Sequence, residues 1–244
     1  GRELGTNFGT LLEAILARTH MSRLRLSSIE PHNFDPAWLS LWASGRLCRH
    51  LHLPLQSGCD DTLVRMRRRY DVAWFARLVD DIRAAVPDMA IWTDVIAGFP
   101  GETDEEFQTS FDFMRRMEFA GIHVFRYSPR SGTRAARMDG RVPDRIRKAR
   151  SERLLQLSDE GKRRYAGRLL GSTVEVLFEE DAAGLTDTYV RVALQPSPAV
   201  GLRRNMDSAC PALSAGLRAL PNTFARVRVT GLTDDGVHGE LLHG

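Results

Sequence analysis

Apolar positions in the first half of the chain switch repeatedly between two periods. Short runs that read as strands, Leu24–Ile29, His50–Leu55, Ala90–Ala97 and Ile122–Tyr127, alternate with stretches where apolar residues recur every three or four positions. Asp35-Pro36 has the layout of a helix start and leads into Trp38, Leu39 and Trp42. Leu63 and Met66 mark the next helix, and Trp74, Phe75, Leu78, Ile82 and Val86 a further one. Thr103 and Glu106 have capping-box spacing ahead of Phe107, Phe111, Met114 and Met117. Strands alternating with helices predict four βα repeats around a parallel sheet, a barrel or partial barrel with its site at the strand C-termini.

The second half changes character. Residues 144–168 read as one long helix with nine Lys/Arg against four Asp/Glu, its apolar stripe carrying Ile146, Ala149, Leu154, Leu157 and Tyr165. Beyond Gly171 the period becomes two, through Val174, Val176 and Phe178, then Val190, Val192 and Leu194, then Ala225, Val227 and Val229. That alternation predicts a small antiparallel β-domain, with residues 195–222, rich in proline, as a long loop inside it. The fold class is therefore α/β, a partial (β/α) barrel over residues 1–168 followed by an all-β domain over 169–244.

Composition changes this picture little. An apolar content of 43% with 27% charged residues is that of an ordinary globular protein. No apolar run approaches the roughly 20 residues needed to span a bilayer, and no signal-peptide layout is present, so a cytoplasmic, monomeric protein without membrane partners is expected. The chain starts at Gly1 rather than Met, within what reads as a structured segment, which suggests a fragment. The net charge of +3 is uneven, about +6 over residues 1–168 and about −3 over 169–244. A basic part facing nucleic acid fits that split, although the excess is small for its length. Cys48, Cys59 and Cys210 form neither a close-spaced ligand pattern nor a paired framework, as expected of reduced thiols.

Candidate chemistry gathers at the predicted strand ends. Gly98-Phe99-Pro100-Gly101-Glu102-Thr103 joins a strand to a helix N-terminus, where glycines let backbone N–H groups approach a ligand. Taken alone it reads as only a tight βα turn. Glu30, Gln56-Ser57-Gly58 and Tyr127-Ser128 end the other strands with polar groups, and Asp94 sits inside an apolar strand where a buried carboxylate needs partners. Arg65, Arg67, Arg68 and Arg69 read as either a solvated helix face or a phosphate-contacting patch. His50, His52 and His123 lack metal-ligand spacing and read as core or supporting residues.

Three motifs in register carry a resemblance. Arg25-Leu-Ser-Ser-Ile-Glu-Pro31, His50-Leu-His-Leu-Pro-Leu-Gln-Ser-Gly58 and Thr93-Asp-Val-Ile-Ala-Gly-Phe-Pro-Gly-Glu-Thr103 resemble the radical S-adenosylmethionine methylthiotransferases. A fourth, His123-Val-Phe-Arg-Tyr-Ser-Pro-Arg-Ser-Gly-Thr133 followed by Ala135-Ala-Arg-Met138, looks most like the branch acting on threonylcarbamoyladenosine in tRNA. The β-domain is similar to the TRAM domain that ends these enzymes.

The resemblance implies a radical enzyme that uses S-adenosylmethionine, two [4Fe–4S] clusters and a reducing electron donor to add a methylthio group to C2 of an adenine in tRNA. Carried over by position, Glu30, Gln56, Ser57, Asp94, Ile96, Gly98 and Tyr127 would line the S-adenosylmethionine pocket. Arg65, Arg67, Arg68, Arg191, Arg226 and Arg228 are the candidate RNA contacts. The family's Cys-x-x-x-Cys-x-x-Cys motif has no counterpart in this sequence, so no metal ligand is expected in the chain and the chain alone is expected to be inactive. The alternatives are related branches acting on a ribosomal-protein aspartate or on isopentenyladenosine, and a non-catalytic RNA-binding protein.

Overall fold

The computed structural model describes residues 3, 6–180, 182–195 and 221–242. The chain divides into two units, residues 1–162 and 163–244.

The first unit is built on a parallel sheet of three strands in the order β1 (His50–His52), β2 (Ala90–Ala97) and β3 (Gly121–Arg126). Helices α2 (Asp60–Arg65) and α3 (Val72–Ala85) connect β1 to β2, and α4 (Asp104–Met117) connects β2 to β3. α1 (Phe8–Arg18) precedes them and α5 (Asp144–Gly167) follows. Helices α3 and α4 start where their sequence provides a cap: Asp71 accepts from Trp74 N, and Thr103 and Glu106 form a complete capping box. One continuous core joins Leu51, Leu53 and Leu55 behind β1 to Phe75 and Ile82 of α3 and Phe113 and Met114 of α4. β2 alternates along its length, so Trp92, Asp94 and Ile96 share the face that is not fully buried.

Two expectations need correction. Leu24–Ile29 does not form a strand and makes only isolated parallel bridges, Leu24 to Leu47 and Ser28 to His52. Four residues on one side span five on the other, so the register slips by one and no continuous ladder forms. The expected four βα repeats are therefore three laddered strands. The segment after Asp35 is a 3-10 helix, Pro36–Ser44, closed by Gly45 at φ +68°.

The second unit is a closed five-stranded barrel of β4 (Thr173–Glu180), β5 (Ala183–Thr186), β6 (Arg191–Leu194), β7 (Thr223–Leu232) and β8 (Gly236–Leu241). They are ordered β4-β5-β6-β8-β7, all antiparallel except β6 with β8. Val176, Phe178, Val192, Val227, Val229 and Val237 fill it. The division between the units falls inside α5 rather than behind it at Arg168, because Ala166 already packs into the barrel core. Cys210 and most of the proline-rich segment at 195–222 lie outside the described residues.

Candidate functional site

The C-terminal ends of β2 and β3 and the segment after β1 enclose a cavity of about 410 Å³. Its lining includes Gln56, Asp94, Ile96, Phe99 and Tyr127, and its volume suits a drug-sized or cofactor-sized ligand. Four of the seven expected cofactor residues thus meet at one place: Gln56, Asp94, Ile96 and Tyr127.

Local backbone chemistry explains how Gln56 gets there. Pro54 has no N–H for the ladder, and the Thr93 hydroxyl spans the gap, donating to Leu53 O at 2.8 Å and accepting from Leu55 N at 3.0 Å. The ladder resumes at Gln56, which donates to Asp94 O at 2.8 Å and accepts from Ile96 N at 3.0 Å. Gln56 holds φ +75°, a left-handed conformation that costs a non-glycine residue on the order of 1 kcal/mol and that clusters at ligand clamps. The next two residues turn inward. Ser57 is buried, with its hydroxyl 3.5 Å from that of Ser110, and Gly58 N donates to Ser110 Oγ at 2.8 Å. A Cβ on Gly58 would stand 2.8 Å from Ser110 O, so only glycine fits against α4. Ser57 supports the site from behind and does not face the cavity.

Asp94 is held by a chain of hydrogen bonds. His52 Nε2 lies 2.7 Å from Asp94 Oδ1, and His52 Nδ1 lies 2.6 Å from Ser28 Oγ. A partner on each side of the imidazole fixes ring and carboxylate together. His123 packs edge-on against His52 at 5.2 Å, and burial lowers its pKa. His52, Asp94 and His123 bring ligand atoms within 4.8 Å of one another, a proximity their sequence positions did not reveal. Both nitrogens of His52 are already engaged, so the group works as a hydrogen-bonded support for Asp94. Tyr127 contributes the opposite kind of feature. Its ring packs against Phe99 at 5.4 Å, while its hydroxyl is buried without a hydrogen-bond partner. An unpaired buried hydroxyl costs about 1–3 kcal/mol.

The remaining candidates are placed differently. Gly98 takes φ +74° and donates its N–H to Glu102 Oε2 at 2.8 Å, Gly101 N donates to Gly140 O, and Thr103 N to Glu106 Oε2. Gly98, Gly101 and Thr103 N–H groups are thus engaged within the protein, as in a tight βα turn. Glu102 is buried against Arg150 of α5 at 2.6 Å, and burial raises its pKa against the pull of Gly98 N–H and Arg150. Glu30 does not line the cavity and pairs with Arg68 at 2.7 Å. Arg65 forks onto Glu106, with one contact at 2.8 Å, which holds the Glu106 carboxyl below its ordinary range. Arg191 lies between Glu180 at 3.6 Å and Asp235 at 3.5 Å. Arg226 and Arg228 project outward from β7, opposite Glu175 and Glu240 respectively. Arg67 is exposed, at φ +57°.

Residues 2–114 match the family model described as the Radical SAM superfamily. The threonylcarbamoyladenosine tRNA methylthiotransferase MtaB of Thermotoga maritima is 41% identical over 180 residues, 73% of this chain and 42% of that protein. The tRNA-2-methylthio-N(6)-dimethylallyladenosine synthase of Frankia alni is 38% identical over 244 residues, 97% of this chain and 48% of that protein. The chain thus spans about half the length of the curated relatives it matches. Among solved structures, coproporphyrinogen III oxidase (HemN) from Escherichia coli is 15% identical with a TM-score of 0.51, covering 62% of this chain and 36% of that one, a likeness of fold alone. Over residues 2–114 the chain is similar to the radical SAM superfamily, and the two relatives, aligned over 180 and 244 residues, are tRNA methylthiolation enzymes by name.

Proposed function

We propose that this chain forms the S-adenosylmethionine-holding part of a tRNA methylthiotransferase that modifies C2 of N6-threonylcarbamoyladenosine. The observation that carries this reading is the cavity at the strand ends, where Gln56, Asp94, Ile96, Phe99 and Tyr127 converge. The residues suit the cofactor's chemistry. Ile96 and Phe99 offer apolar walls to an adenine. The Asp94 carboxylate accepts from a ribose hydroxyl or an ammonium group, and Gln56 and Tyr127 can donate or accept.

When bound, S-adenosylmethionine supplies a carbon radical or a methyl group. This chain binds it, orients it and excludes water. Asp94 stays aimed because His52 and Ser28 hold its support, and Arg147 of α5 donates to the carbonyl of Tyr127, fixing the rim. The chain's cysteines do not fit a [4Fe–4S] cluster. Cys48 and Cys59 are buried in separate places of the sequence, and no Cys-x-x-x-Cys-x-x-Cys spacing occurs. Cluster thiolates have to come from outside these 244 residues, together with a reducing electron donor. The five-stranded barrel of the second unit fits a TRAM-like role in holding RNA.

A second reading within the same chemistry rests on the relative that covers 97% of the chain, whose name specifies a dimethylallyladenosine product. Mass spectrometry of tRNA nucleosides from a strain lacking the gene separates the two. Loss of methylthio-threonylcarbamoyladenosine is expected. Unchanged levels, with loss of the methylthio-dimethylallyl nucleoside instead, would assign the chain to the other branch.

A further inference from the structure

A set of arginines around the cavity has no structural task. Arg126 and Arg130 line the cavity itself. Arg67 and Arg134 line a second one, of about 190 Å³, which shares Ile96, Phe99 and Ala135 with the first. All four are exposed, and among the described residues none makes an ion pair. Their neighbours differ sharply. Arg65, Arg68, Arg147 and Arg150 each sit on a carboxylate, whereas these four do not. Phe125, next to Arg126 on β3, lines the same cavity and is 53% exposed. Among the described residues the only carboxylate lining either cavity is Asp94, which is already engaged by His52.

Guanidinium groups left without carboxylates around an exposed aromatic ring are the combination that binds single-stranded nucleic acid. We propose that Arg67, Arg126, Arg130 and Arg134 hold backbone phosphates of an RNA loop while Phe125 stacks one of its bases at the cavity entrance. The inference rests on the proposed tRNA substrate and names the surface that receives it. It moves the RNA contacts away from Arg65, Arg68 and Arg191, which are committed to Glu106, Glu30, and the Glu180 and Asp235 pair. An acidic protein would use the arginines equally well, but it gains nothing from the ring.

The test is binding of a short RNA hairpin with an adenine-containing loop to the full chain, followed by fluorescence anisotropy over a range of salt. Each phosphate contact on a single strand contributes about −0.7 to the slope of log K against log salt. Four contacts predict a slope of roughly −2.8, and Arg67→Gln, Arg126→Gln, Arg130→Gln and Arg134→Gln should each reduce its magnitude by about 0.7. Phe125→Ala should weaken binding at least about fivefold with the slope unchanged. Arg77→Gln, exposed on α3 and lining neither cavity, should leave the slope as it is. Because all four arginines are exposed, the single variants are expected to melt like the parent, and each is read separately.

A parent slope that survives all four substitutions would overturn the proposal, as would equal affinity for polyglutamate at the same salt. Titration of the same chain with S-adenosylmethionine separates this failure from that of the underlying reading. If the cofactor binds while RNA ignores the arginines, only the RNA surface is wrong. If RNA binds as predicted while the cofactor does not, the surface stands and the cofactor reading falls.

Discussion

Asp94 and Tyr127 define the site from opposite directions, one oversupplied with support and the other left without a partner. Asp94→Asn should lower S-adenosylmethionine affinity about tenfold, the scale of a hydrogen bond to a charged group. His52→Ala should give a smaller loss at unchanged fold, because it removes only the strut behind the carboxylate. Both are read by equilibrium dialysis of the labelled cofactor. His50 behaves differently because it is buried, and burial above all lowers its pKa from 6.5 to about 3. The unfolded chain therefore binds a proton that the folded chain refuses. Stability from this residue is complete above pH 6.5 and is lost as pH falls through that window towards 3. His50→Asn should flatten the acid side of the profile, measured as the urea midpoint at a series of pH values. Sequence exposed the polar residues at these positions but not their pairing. Nothing along the chain says that Ser28, His52 and Asp94 form one line, because parallel neighbours join residues 24 and 42 positions apart.

Among the elements, α5 does more than its charged pattern suggested. Arg147 and Arg150 reach back from it to the strand ends, one donating to Tyr127 O and the other to Glu102 and Asp104. Arg150 also lies over the Phe107 ring at 5.2 Å, and its ion pair with Glu102 is almost fully enclosed. Arg150→Ala should therefore destabilise the fold by about 3–5 kcal/mol in urea unfolding, because it strands a buried carboxylate. The α4 cap is a smaller contribution, and Thr103→Ala should cost about 1 kcal/mol by the same assay. Elements with strong periodicity and a cap were legible: β2 runs from Ala90 to Ala97 as its alternation predicts, and α4 starts where Thr103 and Glu106 put it. Elements whose pattern is diluted by glycine were not. β5 and β8 went unrecognised because Gly184 and Gly239 break the alternation, yet a Cβ at either would stand within 2.4 Å of a neighbouring carbonyl oxygen. Close strand approach in a small barrel selects glycine and erases the sequence signal.

At the scale of the whole molecule the two units have different electrostatic tasks. Residues 1–168 carry the positive excess, and four arginines without an ion pair among the described residues line the two cavities. In the barrel, arginines face carboxylates across strands, as Arg226 does Glu175 and Arg228 does Glu240. Three of the four motifs that suggested the family in sequence run through β1, β2 and β3 into the segments that follow them, and the first lies on the segment bridged to His52, so the fold gathers what the sequence spreads over more than 100 residues. The central claim, that this gathering makes an S-adenosylmethionine site, is tested most directly by titrating the full chain with that cofactor by calorimetry, in parallel with Asp94→Asn and Tyr127→Phe. The account predicts saturable binding at one site, weakened about tenfold by the first substitution and severalfold by the second. Binding that neither substitution alters, or no saturable binding to the folded chain, would contradict it.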